Sequence, residues 1–479
     1  MTIWTPDITG RDGPKYRALA DAIAEAIETG DLAEGERLPT HRDLAWKLGI
    51  TVGTVTRAYA LGQNEGLIAG EVGRGTYVLA KRDRPATPGN KGIFRAPITA
   101  FERPAGEPEK PSGPIVMNQN FTAAPWVNEM LADAIQGLAD PRRLGGIDGY
   151  LPSNSLLRHR LAARDWLRRF GLERDENSIL IVSGCQHGLS VAFLGLAKPG
   201  DTVLVESLTW PGARQMAEMR GLKVATVAVD DQGIRPDAFE AACREFSPRL
   251  LYTVPTLHNP TTSILPEDRR RAIAEVAIRH GVYILEDDVF GYVADSAPPP
   301  ISNFAQDMGI YVTSLSKPVA PILRTGFMSA PAGLVPRLAS AIRATALMTS
   351  SLNTEIAADL IQSGAAVESL NRHRASAALR QKMASTILGE ASTVAHPNGT
   401  HIWLSLPPLW TGATFEAEAL ARGVAVTPGN IFAVGENTAA NGAIRLCIGA
   451  ESDPERIREG LEVIAALLSS GPSAAEPIV

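Results

Sequence analysis

The sequence predicts an α/β protein in two folded parts: a small N-terminal winged helix-turn-helix, and a large domain around a mainly parallel sheet with a smaller α+β lobe at its C-terminal end. Three observations predict it. Two short helical patterns meet at Gly49, a run dense in proline fills residues 82–114, and β-branched strand runs alternate with helical stretches from residue 115 onward. A chain of 479 residues is too long for one ordinary core, so separate domains are expected at 1–81 and 115–479, with the small lobe from about residue 350.

In the first part, Tyr16, Leu19, Ala20, Ile23 and Ile27 recur at helical spacing between Pro14 and Thr29, and Gly30 closes that helix. The stretch RDLAWKLG presents Leu44, Ala45 and Leu48 on one face and stops at Gly49. TVGTVTRAYALGQNEG follows, with Thr51 as its N-cap. Two helices joined by a tight glycine-bearing turn make a helix-turn-helix. LIAGEVGRGTYVL then reads as two short strands around a tip at Gly73, Arg74 and Gly75, a wing.

Residues 82–114 show no hydrophobic period and are expected to be a linker. Such a segment spans about 30 Å as coil and roughly 100 Å as polyproline helix. Beyond it, SILIVSG, DTVLVES, KVATVAV, RLLYTVP, VYILEDD and GIYVTSL are buried-strand runs, with helical stretches such as RRAIAEVAIRHG between them. THIWLSLP, GVAVTPG and AIRLCIG supply the small lobe.

Composition narrows the function classes. With 45% hydrophobic and 20% charged residues the chain reads as a soluble globular protein. No stretch approaches eighteen consecutive apolar residues, and the start lacks the basic and apolar regions of a signal peptide, so a cytoplasmic protein with no membrane partner is expected. Cys185, Cys243 and Cys447 are scattered without CxxC spacing, which indicates neither disulfides nor a metal site. A net charge of −6 argues against a general nucleic-acid coat, so any DNA contact must come from a local patch.

That patch is sought on the second helix of the helix-turn-helix, whose first turn must carry small or polar side chains to reach base edges. Thr51, Gly53 and Thr54 occupy it, Thr56 and Arg57 are placed for the phosphates, Arg42 sits on the preceding helix and Arg74 at the wing tip. GDLAEGERLPTHRDLAWKLGITVGTVTRAYALGQNEGLIAGEVGRGTYV resembles the winged helix of GntR-type bacterial repressors over nearly its whole length. Val52 stands where that family often carries an arginine, which points to a different base preference, such as an apolar contact to a thymine methyl.

The large part contains Lys317 in SLSKPVAPILRTGFM. A lysine amine is a good covalent catalyst for carbonyls, and pyridoxal phosphate is the cofactor that exploits this most fully. Such a site also needs a carboxylate for the pyridinium nitrogen, an aromatic face, phosphate donors and a partner for the ligand's acid group. Asp287, preferred to Asp288, ends a strand run; Trp210 follows another; Gly184, Cys185 and Gln186 form a strand-to-helix turn suited to an anion, completed by Ser314, Ser316 and Arg324. Asn259 is a donor for the ring's phenolic oxygen, and Arg445 is a carboxylate clamp.

Singly, each has an ordinary explanation: a lone lysine is usually solvated, and a mid-strand arginine is usually a salt-bridge partner. The succession SGCQ, TWPG, HNPT, EDD, SLSK with an arginine seven residues on, then IRL, resembles a fold type I aminotransferase from residue 115 to near the end. The resemblance implies a mainly parallel seven-stranded sheet, Lys317 as the Schiff-base lysine, and the roles above for the other residues. It also makes Tyr150, in GYLPSNS, a contact to the neighbouring subunit's cofactor, hence a homodimer with shared sites. Three positions depart: Phe290 replaces a tyrosine that donates to the cofactor's phenolic oxygen, with Tyr292 nearby as a partial substitute; Cys185 replaces a serine; Ser155 replaces a glycine.

A GntR-type reader joined by a proline-rich linker to an aminotransferase-like domain is the layout of the MocR family of regulators. The resemblance implies a pyridoxal-phosphate-dependent transcriptional regulator that binds operator DNA and senses an amino compound. Two alternatives stay open: a working aminotransferase carrying a DNA-binding domain, against whose efficient turnover Phe290 weighs, and a DNA-bound scaffold with a structural cofactor.

Overall fold

The computed structural model describes residues 4–7, 15–33, 35–64, 67–71, 75–79, 113–152, 155–435 and 438–470. The chain divides into two compact units, residues 1–105 and 106–479. The expected linker at 82–114, apart from its last two residues, and the wing tip at Gly73 and Arg74 lie outside the described residues.

In the first unit, helices Lys15–Thr29, His41–Leu48 and Val52–Asn64 are followed by antiparallel strands Ile68–Glu71 and Gly75–Val78. The local chemistry explains the breaks. Thr40 caps the second helix by accepting from the Asp43 amide, and Gly49 ends it in the left-handed region at φ 62°. Thr51 then accepts from the Thr54 amide at 3.2 Å at the start of the third helix. Leu19, Ile23, Leu44, Val55, Tyr59 and Val78 close one core, and the buried Tyr59 hydroxyl donates to the Pro39 carbonyl at 2.8 Å.

The second unit is built on a seven-stranded sheet. Across it the strands run Ile179–Val182, Gly326–Ser329, Gly309–Ser314, Tyr283–Asp287, Leu250–Thr253, Thr202–Glu206, Lys223–Val227. All six predicted runs are strands. The seventh, Gly326–Ser329, runs antiparallel to both neighbours, and the reason is reach. The connection from Ser314 is one short loop, too short for the crossover that a parallel return requires. That loop therefore stays at the C-terminal edge of the sheet and keeps Ser316, Lys317 and Arg324 there.

A second, four-stranded antiparallel sheet contains His401–Ser405 and Ala443–Cys447 as central neighbours, covered by helices Ala365–Leu388, Gly412–Ala421 and Pro454–Ser470. Its period-two pattern sorts the faces: Ile402, Leu404, Ile444 and Leu446 enter the lobe core, which leaves His401, Trp403, Arg445 and Cys447 on the opposite face. This lobe also recruits the start of the unit. Ile115–Val116 pairs in parallel with Val424–Ala425, so the lobe is not confined to residues after 350.

Among the described residues no helix is long and apolar enough to cross a membrane, and no three His, Cys, Asp or Glu side chains gather as a metal site would need. The three cysteines are free.

Candidate functional site

Strand alternation separates the two neighbouring aspartates. Leu285 packs in the core cluster between the sheet and helix Cys185–Leu196, and Asp287 lies on that same face. Glu286 lies opposite, accepting from the Ile301 and Ser302 amides at 3.0 and 2.9 Å. Asp287 is only 4% exposed. Its Oδ2 accepts from the Tyr252 hydroxyl at 3.0 Å, while its Oδ1 has no hydrogen-bond partner. Burial pushes its carboxyl up to about 7, opposed by the Tyr252 hydroxyl and, more weakly, the Cys185 thiol, and reinforced by Asp288. A buried carboxylate with a free oxygen is a seat for a cation or an N–H donor. Asp288, pushed up to about 6 chiefly by burial, takes the Tyr311 hydroxyl instead.

The edge strand Ile179–Val182, three positions along the sheet, leads into the opposite kind of seat. Gly184, at φ 84°, leads into helix Cys185–Leu196 with no side-chain cap, so the first amides of that helix are unfilled donors. A Cβ on Gly184 would lie 2.8 Å from the Arg324 guanidinium, and a Cβ on Gly326 would lie 2.9 Å from the Gly184 backbone. Glycine at both positions is what lets the Lys317 loop close onto the helix start. Arg324 there donates to the Ser183 carbonyl at 3.2 Å and to the Ser316 hydroxyl at 3.4 Å, and the Ser316 amide donates to Ser314 Oγ at 3.3 Å. Burial raises the Cys185 thiol well above its ordinary range. It stays protonated, a weak donor in place of a hydroxyl.

Lys317 follows on the loop that carries Arg324, within electrostatic reach of Arg324, Cys185 and Arg445. Burial lowers its ammonium to about 8, with Arg445 adding to the effect and Cys447 opposing it. Lys317 Nζ donates to the Asn120 carbonyl. Arg445 is buried under the same segment: Nη2 donates to the Asn118 carbonyl at 2.8 Å, Nη1 to Asn259 Oδ1 at 2.9 Å, and its guanidinium lies 4.9 Å from the Phe432 ring centre. Its Nε has no partner. The arrangement offers one amine of lowered pKa, one acid clamp, one anion cradle and one unpaired carboxylate oxygen.

Asp287, Cys185, Ser314, Ser316, Lys317, Arg324, Asn259 and Arg445 are thus gathered by strand ends and two loops. Trp210 precedes helix Pro211–Met219 with its ring folded over Gly212. Gln186 is exposed on the first turn of its helix, and Tyr150 is 85% exposed in the single chain. Phe290 is buried, its ring 5.3 Å from that of His401. Tyr292, the expected partial substitute for the missing phenol, is buried, and burial raises its hydroxyl above the ordinary range. Ser155 takes the left-handed φ of 66° that glycine would hold, and its hydroxyl is 2.7 Å from His159 Nδ1, which leads through His159 Nε2 to Glu355 at 2.6 Å.

In the first unit, Arg42, Thr51, Gly53 and Arg57 are exposed. Thr54 hydrogen-bonds Thr51 side chain to side chain at 2.9 Å. Thr56 is committed within the unit, donating to the Val52 carbonyl at 3.0 Å and meeting His41 Nδ1 at 3.1 Å, so it ties the two helices together.

Two family matches cover the chain: bacterial regulatory proteins of the gntR family over residues 15–78, and aminotransferase class I and II over residues 114–464. The chain belongs to the aminotransferase class I and II family. With a gntR-family domain at its head, it has the two-part MocR-type layout. The class I and II chain is 26% identical to the HTH-type transcriptional regulator YdeF of Bacillus subtilis, over 97% of this chain and 96% of that protein. It is 30% identical to the regulator YjiR of Escherichia coli over 66% and 69% of the two chains. The regulator TauR of Rhodobacter capsulatus is 29% identical over 88% and 90%. Among solved structures, the α-aminoadipate aminotransferase LysN of Thermus thermophilus matches at TM-score 0.67 and 24% identity, over 75% of this chain and 92% of that one, which places the second unit in the fold type I aminotransferase fold.

Sequence reasoning missed Tyr252, Asn118, Asn120, His401 and Phe432. Only Tyr252 left a trace, as a hydroxyl inside an otherwise apolar strand, RLLYTVP.

Proposed function

We propose that this protein is a cytoplasmic, homodimeric transcriptional regulator that holds pyridoxal phosphate on Lys317 and reads an amino compound bearing an acid group. Fold type I aminotransferases typically bind that cofactor. The observation that carries the proposal is the buried Asp287 carboxyl, whose Oδ1 lacks a strong hydrogen-bond donor, on the same strand-end face as an uncapped helix start with Arg324 and a lysine of lowered pKa. The residues fit the group: a carboxylate for a protonated ring nitrogen, helix amides with Arg324, Ser314 and Ser316 for a phosphate, and Asn259 for the phenolic oxygen.

When bound, the cofactor supplies an aldehyde that captures amines and a ring that withdraws electrons from them. The protein's part is to bind and orient. Asp287 regains by pairing what its burial cost, and Arg324 fixes the anion while its carbonyl and hydroxyl partners hold its plane. Lys317, with a pKa near 8, keeps roughly one amine in ten unprotonated at neutral pH. A carboxylate reaching Arg445 competes with the Asn118 carbonyl and Asn259 for the same N–H groups. Tyr150, open in the single chain, is suited to a neighbouring subunit's cofactor. Ligand affinity for one state over the other sets the shift at the operator, commonly about 1–3 kcal/mol.

Phe290 removes the phenol that the resemblance puts at the cofactor's phenolic oxygen, which favours sensing over turnover. Operator binding that responds to pyridoxal phosphate plus an amino compound, with no sustained keto-acid formation from an amino donor and 2-oxoglutarate, is the expected result. A Lys317→Ala protein whose DNA binding responds as the wild type does refutes the sensor.

A further inference from the structure

His401 joins two cations of the site, Lys317 and Arg445, through hydrogen bonds. Lys317 donates to the Asn120 carbonyl, and the Asn120 amide is oriented by Thr400, whose hydroxyl donates to Asn120 Oδ1 at 2.8 Å. That leaves Asn120 Nδ2 to donate to His401 Nδ1, at 3.1 Å. His401 Nε2 then donates to the His258 carbonyl, at 3.2 Å, and the next residue, Asn259, accepts from Arg445. Arg445 completes the circuit at the Asn118 carbonyl, two residues before Asn120. The circuit exists because of strand register: His401 lies opposite Cys447 on paired strands, on the face that also carries Arg445.

We propose that His401 is a positioning residue that, in a single tautomer, holds the Asn118–Asn120 segment and the His258–Asn259 loop in register, and so couples the acid clamp Arg445 to Lys317. The tautomer follows from the partners: a carbonyl oxygen at Nε2 requires a hydrogen there, and an amide N–H at Nδ1 requires a lone pair. The ring is fully buried. Burial, then the neighbouring Arg445, lowers its pKa to about 3, opposed by the hydrogen bond to the His258 carbonyl and reinforced by Lys317. His401 therefore neither gains nor releases a proton near neutrality. Its contribution is geometric.

The inference rests on the pyridoxal phosphate reading, so the experiment begins with borohydride trapping of the cofactor on Lys317 in the full-length wild type. If nothing is trapped there, that reading falls and this one with it. If it is trapped, the pH midpoint of the bound cofactor's absorbance is compared in wild type, His401→Phe, Asn120→Ala, the double variant and His401→Gln. Each of His401→Phe and Asn120→Ala is expected to move the midpoint in the same direction by about half a unit or more, with the double variant moving no further than the larger single. His401→Gln, which keeps one acceptor and one donor, is expected to recover at least about half of that shift. Unmoved midpoints, additive shifts, or a Gln variant no better than Phe overturn the proposal while leaving the cofactor reading intact. If His401→Phe loses the cofactor or the fold, Asn120→Ala and His401→Gln decide by the same criteria.

Discussion

Replacing Asp287 by asparagine sets the stability of the cofactor-free protein against its affinity for the cofactor. The Asp287 carboxyl is raised from 3.8 to about 7 by burial, so between those values the folded state holds a proton that the unfolded chain has released. Stability must fall as pH rises through that window, be fully reduced above about 7, and be unaffected below about 4. Three pH units correspond to about 4 kcal/mol, an upper value because relaxation around a buried charge recovers part of it. With an unfolding entropy near 2.1 cal/mol/K per residue, a unit of about 350 residues would shift in melting temperature by roughly 5 °C. The substituted asparagine cannot ionise, yet its side-chain oxygen still accepts from Tyr252. Cofactor-free D287N is therefore expected to melt several degrees above wild type at pH 8 and close to it at pH 4, while binding pyridoxal phosphate much more weakly. Calorimetry at the two pH values and absorbance titration with the cofactor measure both. An equal melting difference at pH 4 and pH 8, or undiminished cofactor affinity, refutes the reasoning.

Further outcomes are expected elsewhere. The rate at which pyridoxal phosphate attaches to the protein should rise with pH to a midpoint near 8, since the Lys317 ammonium is lowered by burial; a midpoint near an ordinary lysine's 10.5 would show that the amine is not enclosed. Ser155→Ala keeps the left-handed backbone but loses the contact to His159, and should cost about 1–2 kcal/mol in thermal unfolding. Ser155→Gly trades that contact for relief of the backbone and should stay within about 1 kcal/mol of wild type. Arg57→Ala should weaken operator binding and reduce the slope of log affinity against log salt by about 1 in filter-binding or fluorescence titrations.

What the sequence revealed and what it hid divide along a physical line. Lys317 and Arg324 could be read together because one short loop after the strand end at Ser314 carries them, and Asp287 because strand ends of a parallel sheet collect on one edge. The faces of Asp287 and Asp288 are separable by alternation from Leu285. Asn118, Asn120 and His401 were not legible. They stand some two hundred residues before and eighty after Lys317, and only the register of His401 against Cys447 brings them to it. The strand Gly326–Ser329 was hidden for another reason: four residues beginning with glycine carry too little pattern to separate from the loop before them.

Ile115 donates to the Gly423 carbonyl at 2.7 Å, Met117 to Ala425 at 2.9 Å, and Cys447 to Met117 at 2.7 Å. The first residues past the proline-rich stretch are thereby stitched into the same sheet layer that bears Arg445. A fragment of the second unit must accordingly begin before Ile115, because a later cut removes a strand that pairs within that lobe.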